Sequence, residues 1–326
     1  MTHFHSIRPW LICSVLLSLS GCAVLTESQI EETNRFAKAT DGFAALPGAV
    51  IDHQASFEKN LRLLEMSNQV LPGHHEGTEE GNIKEARTQA VEKVHKQYLA
   101  AQEFYALFKK DQARLEQSLQ FINTYTKGLK TLIATDDIDE LNKQAESLGN
   151  SLDKAVDQLK TLGIKTKEGT DLGIVGSATA GAVRGIGGLV LSYHQARYVK
   201  EFTAAYHPHI EAADKAITKM MTTLASRKET NDRAITSFLQ THFVTYHHLT
   251  TSTVLATDQQ TQINNNIATS AQAVITASNA LVKAHNSLVD ELKTRHTLKT
   301  TIETITVLAG HVEAGLALKQ KLDKAS

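Results

Sequence analysis

An all-α fold, an elongated bundle of long coiled-coil-like helices, is what this chain predicts, and three observations predict it. Apolar residues recur at alternating steps of three and four along much of the sequence. Runs that alternate apolar and polar residues one by one are almost absent. Proline is scarce, with four in 326 residues. A period near 3.5 held over many turns draws one apolar stripe along each helix and lets neighbouring helices share a left-handed seam. No strand is needed to bury these residues.

The first element stands outside that bundle. Arg8 precedes the apolar run Trp10–Leu19 (WLICSVLLSL), which falls within the roughly 7–15 residues of a secretory leader and well short of the roughly 20 that span a bilayer. Leu19-Ser20-Gly21-Cys22 closes the run. These residues resemble the lipobox of bacterial lipoproteins. The resemblance implies that residues 1–21 are a signal peptide removed before Cys22, that Cys22 is diacylated through its thiol, and that the new amino group is acylated. Ala23 rather than Asp follows the cysteine. By that family's sorting rule this implies the outer membrane, with the chain facing the periplasm.

Cleavage would also remove Cys13 and Trp10, and lipid would occupy Cys22, the second of two cysteines. The mature chain then has no disulfide, no cysteine nucleophile and no thiolate metal site. Charge is balanced, 34 basic against 35 acidic residues, and the leader takes only Arg8. Without a basic block the chain is a poor ligand for nucleic acid or for an anionic lipid surface.

Residues 22–81 read as the anchor followed by N-terminal helices and a loop. Phe36, Phe43, Leu46, Val50, Phe57 and Leu64 carry the helical spacing, Thr26 and Gln29 have capping-box spacing, and Leu71–Gly77 (LPGHHEG) is a loop by composition. Residues 82–326 read as the long-helix bundle. A helix from about Asn82 to Ile133 carries Tyr98, Ala101, Tyr105, Phe108, Leu115, Leu119, Ile122, Thr126 and Leu129 on one stripe. The next carries Ile138, Leu141, Ala145, Leu148, Leu152, Ala155, Leu159 and Leu162, and Gly163-Ile164 ends it as a glycine cap. Further on come Val199 to Leu224 and, near the C-terminus, Leu298, Ile302, Ile305, Ala309, Val312 and Leu316. Asn82 with Glu85, Asp137 with Glu140 and Ser226 with Glu229 have capping-box spacing too. Thr257–Asn266 (TDQQTQINNN) is polar enough for a loop, yet Ile263 and Ile267 keep the spacing through it.

One segment breaks the pattern. Leu172–Ser192 (LGIVGSATAGAVRGIGGLVLS) holds Gly173, Gly176, Gly181, Gly185, Gly187 and Gly188 and a single charge, Arg184. Glycine costs about 1 kcal/mol against alanine inside a helix, so six of them need a reason. One reading is a central helix whose small residues let neighbouring backbones approach closely. The other is a membrane-inserting element, for which the length and the small-xxx-small spacing are suitable. Against a simple span, Arg184 would cost about 2.5–3.5 kcal/mol at mid-membrane. A phosphate loop is excluded, because Gly176–Gly181 is followed by Ala182-Val183 where Lys and Ser or Thr are required. In layout, long amphipathic helices interrupted by an apolar glycine-rich segment are similar to the ClyA-type α-helical pore-forming toxins. That resemblance implies a tongue packed on the bundle in a soluble form and inserted in a bilayer in a pore.

Catalytic patterns are weak. Fifteen histidines include His74-His75 in the loop, His207-Pro208-His209 at a proline that predicts a kink, and His242, His247 and His248 on successive turns. No His-Glu-x-x-His pair accompanies them, and seam-edge or solvated histidines are the plain reading. Glu79-Glu80 and Asp136-Asp137 read as loop and cap residues, and Gly-x-Ser-x-Gly is absent. The expectation is a non-enzyme without cofactor, metal or small-molecule substrate: a lipid-anchored scaffold or adaptor that contacts protein partners or copies of itself, or a membrane-active protein inserting residues 172–192.

Overall fold

The structure, a computed structural model, describes residues 24–67, 80–164, 187–246, 251–294 and 298–325. Among them the chain forms eight helices and no strand: α1 (Glu27–Ala44), α2 (Leu46–Ser67), α3 (Glu80–Ala134), α4 (Ile138–Thr161), α5 (Gly187–Ser226), α6 (Lys228–Tyr246), α7 (Thr251–Thr294) and α8 (Leu298–Ala325). The all-α bundle stands. At 1.5 Å per residue the 55-residue α3 is about 80 Å long.

Helix ends follow local chemistry. Thr26 caps α1 with a complete capping box, its hydroxyl accepting from the Gln29 N–H while Gln29 Oε1 accepts from the Thr26 N–H. Asp137 caps α4 by accepting from the Glu140 N–H at 2.8 Å. Glu140 instead accepts from Gln144, so that box is half made. At the far end of α4, Gly163 sits at φ +74°. Its N–H donates to Lys160 O and the Ile164 N–H to Leu159 O, the paired bonds of a Schellman cap, and Ile164 is buried beneath it.

Two expected caps are corrected. α3 begins at Glu80, so Asn82 lies inside it. Ser226 Oγ donates back to Thr223 O, as serine hydroxyls do in a helix's last turn, and the break falls at Arg227. Arg227 turns out to Glu58 of α2, 2.9 Å away. Through Pro208, where a kink was expected, α5 continues unbroken. The carbonyl that loses its donor there belongs to Ala204, an exposed residue that water reaches.

Packing refines the predicted stripes. On α4 the seam is the expected one, with Leu141, Ala145, Leu148, Leu152, Ala155 and Leu159 all buried. On α3 it is wider: Phe121, Tyr125 and Leu132 join Leu115, Ile122 and Leu129 in the core, because α3 packs on α1, α4 and α5 at once. On α8 it is rotated, burying Thr301, Ile305, Leu308 and Val312 while Ile302 and Ala309 stay half-buried. Phe36, Phe43 and Phe57 are fully buried in the same core. Each gains about 1.5–3 kcal/mol over an exposed position, so α1 and α2 are held by the bundle.

α4 and α5 run parallel, since Tyr198 OH donates to Asn142 and Tyr206 OH to Asp153, both at 2.7 Å. α5 begins beyond the end of α3, where Gln195 donates to Ile133 O and Thr135 O. α4 ends beside Arg114, whose Nε donates to Leu162 O. Ile164 and Gly187 are therefore separated by about 40 Å along the bundle. No helix among the described residues is long and apolar enough to cross a membrane.

Candidate functional site

The residues marked in the sequence are divided by the structure. Leu19, Ser20, Gly21, Cys22, Gly173, Gly176, Gly181 and Gly185 lie outside the described residues, as do His74, His75, His247 and His248. Gly187 and Gly188 form the first turn of α5, so the last six residues of the 172–192 segment belong to a helix that continues into the core. His242 Nε2 lies 3.5 Å from Thr253 Oγ1. Among the described residues no three His, Cys, Asp or Glu side chains gather into a metal site.

The sequence did not mark a row of polar groups inside the bundle. Tyr125 of α3 and His285 of α7, both fully buried, meet with OH and Nε2 2.7 Å apart. On its other side His285 Nδ1 lies 3.2 Å from His207 Nδ1 of α5, the two rings stacked within 8° of parallel. His207 Nε2 then faces Glu211 Oε1 at 3.6 Å. Tyr125 donates to Nε2 of His285 and His285 Nδ1–H to His207 Nδ1, the ordering that turns the His207 Nε2–H toward the Glu211 carboxylate. The reverse ordering would set a bare ring nitrogen against that carboxylate.

Burial first, and the neighbouring His207 second, push His285 down to about 3, so it is neutral. Burial likewise raises the Tyr125 phenol well above its ordinary range. His209, on the other side of Pro208, points elsewhere. Its ring packs edge-on to Phe121 and against Tyr206, its Nδ1 has no hydrogen-bond partner among the described residues, and desolvation, then Lys160, lowers its pKa. His209 and His285 are core histidines, where the sequence suggested seam edges and solvent, whereas His207, part-exposed, sits at a seam edge as expected.

No protein family, curated protein or solved structure matches the chain.

Further layers repeat the theme along the same interface. One heptad from His207 and His285, Asp214 of α5 accepts a hydrogen bond from Ser278 of α7, whose Oγ also accepts from Thr218. Burial pushes Asp214 up to about 6 against the opposing pull of Ser278 and Lys215. Two heptads beyond Ser278, Asn264 donates to Lys228 O and to Asp232 while accepting from Asn231. Each step of seven up α5 and into α6 is thus matched by a step of seven down α7. Between these layers Met221 and Ala271 are fully buried.

A buried polar pair is satisfied at one register only, so these layers fix α3, α5, α6 and α7 in height against one another at some cost in stability. The heptad spacing of His207 with Asp214 and of Ser278 with His285 is present in the sequence. Pairing the two rows requires knowing that α5 and α7 are antiparallel neighbours, which no local pattern carries.

Proposed function

We propose that this chain is a lipid-anchored protein of the bacterial cell envelope that acts as a non-enzymatic helical scaffold or adaptor. The lipobox-like Leu19-Ser20-Gly21-Cys22 behind its short apolar run carries this reading. It supplies a membrane anchor through Cys22, at the outer membrane and facing the periplasm. A bundle built on helices of 55 and 44 residues supports it. So does the use of the polar groups of the Tyr125 row to hold helices together. Its partners on this reading are the membrane at one end and proteins, or further copies of the chain, along the rod.

The test is metabolic labelling with palmitate together with fractionation of the envelope. The parent chain takes up label and floats with outer membrane, and Cys22→Ser loses both label and processing. Unchanged labelling in the variant overturns the anchor. Crosslinking in intact cells then recovers a protein neighbour or a second copy; a strictly monomeric, partnerless chain overturns the scaffold.

A second reading, insertion of residues 172–192 in the manner of ClyA-type toxins, draws support from the glycine-rich, nearly charge-free composition of that segment. It predicts leakage from liposomes that Gly181→Asp with Val183→Asp abolishes.

A further inference from the structure

The end of the bundle formed by α6 and α7 differs from the rest of its surface. The two helices make an antiparallel pair. Asn231 meets Asn264 at 3.0 Å, and His242 meets Thr253 at 3.5 Å near the tip. From Ala234 to Thr257 the chain carries no Asp, Glu, Lys or Arg, although such residues are 21% of the whole. Every exposed position described in this stretch is therefore Thr, Ser, Gln or apolar. Three of the six large apolar side chains that stand exposed among the described residues are here: Phe243 at 52%, Val254 at 46% and Leu255 at 63%.

Two hydroxyls of the stretch are held by their own helix: the exposed Thr236 donates to Asp232 O, and the buried Thr257 donates to Thr253 O and Val254 O. A threonine whose proton is already held by its own helix loses little on leaving water. A stretch without Asp, Glu, Lys or Arg, in which three large apolar side chains stand exposed among the described residues, suits an environment in which formal charge is costly.

We propose that the α6–α7 tip is a membrane contact that seats Phe243, Val254 and Leu255 in the headgroup–acyl boundary of a lipid bilayer. Insertion is shallow. Asp258 follows Leu255 by three residues, about 5 Å along the helix, and it halts the tip at the interface; amphipathic elements sit about 5–10 Å deep there. The tip also lies far from the N-terminal end of the rod. Gln29 of α1 contacts Glu291 of α7, and Glu291 is 40 residues, about 60 Å, from Thr251. If Cys22 anchors the chain as proposed above, its two ends reach two lipid surfaces. The contact at the tip itself does not depend on that anchor.

Trp10 is the sole tryptophan, so the full chain carrying Trp10→Phe and Leu255→Trp reports from the tip alone. This protein is placed in unbrominated phosphatidylcholine vesicles and mixed with acceptor vesicles of phosphatidylcholine brominated on the acyl chains. Acceptors are expected to quench the tip indole and shift its emission to the blue. A matching Val307→Trp reporter on α8, also exposed at 53%, stays bright. Phe243→Asp in the tip-reporter background weakens the effect about tenfold or more, the loss expected from one large apolar side chain.

If the chain fails to float with the first vesicles, the anchor reading fails. The free chain presented to brominated vesicles then still decides the tip. A tip indole left bright by acceptors overturns the proposal, as does quenching untouched by Phe243→Asp. A blue shift that grows with protein concentration in the absence of vesicles overturns it too, by assigning the tip to a second copy.

Discussion

His285 and Asp214 sit one heptad apart on one interface and pull stability in opposite directions as pH changes. His285 is lowered from 6.5 to about 3. Below about pH 6.5 the unfolded chain takes a proton that the folded chain refuses, so stability is full above that pH and is lost as pH falls toward 3. The lowered His209 acts in the same sense. Asp214 is raised from 3.8 to about 6. Between those values the folded chain keeps a proton that the unfolded chain has released, so this contribution is present in acid and lost as pH rises through 6. Each group imposes a slope of at most about 1.4 kcal/mol per pH unit. Between pH 4 and 6 Asp214 offsets part of the loss that the two histidines impose. Asp214→Asn removes that offset, so its urea midpoint falls more steeply from pH 6 to pH 4 than the parent's. Coincident profiles for parent and variant would show that Asp214 titrates like an exposed carboxylate.

At the scale of the element, what was legible in the sequence depends on how many neighbours a helix has. α4 packs on α3 and α5, and its buried residues are those the 3-4 spacing names. α3 packs on four helices, α1, α2, α4 and α5, so Phe121 and Tyr125 fall off the single expected stripe and yet are fully buried. Thr257–Asn266 looked like a loop because its seam residues are polar. Inside α7, Thr257, Gln260 and Asn264 are buried, and Asn264 is bonded to the α5–α6 junction. Polarity at a seam position is ambiguous until its partner is known. A closer fit is found at Gly128 of α3, where an added Cβ would lie 2.8 Å from Leu148 Cγ of α4 and nearer still to its methyls. Alanine would improve helix propensity by about 1 kcal/mol but overpack the seam at about 1–3 kcal/mol, and the second effect wins because Leu148 is itself buried. Gly128→Ala is therefore expected to lower the urea midpoint. Gly128→Ala combined with Leu148→Ala, which opens the space, should lose less than the two single losses added together. A midpoint raised by Gly128→Ala alone would mean that Leu148 swings clear.

Across the whole molecule the two ends of the sequence close the bundle on itself. α1 packs on α3, α7 and α8, Gln29 reaches Glu291 across 262 positions, and His53 of α2 meets Asp323 of α8 at 2.8 Å. No helix of this core can leave without exposing apolar surface on helices distant in sequence, so the core is expected to open as one unit. Hydrogen exchange by mass spectrometry reads this cooperativity directly. Amides in the middle of α1, α5 and α8 should exchange together, at the free energy of global unfolding, although α1 and α8 are far apart in sequence. Amides of α1 that exchange orders of magnitude sooner than those of α5 would show that α1 opens by itself and that its buried Phe36 and Phe43 do not tie it to the core.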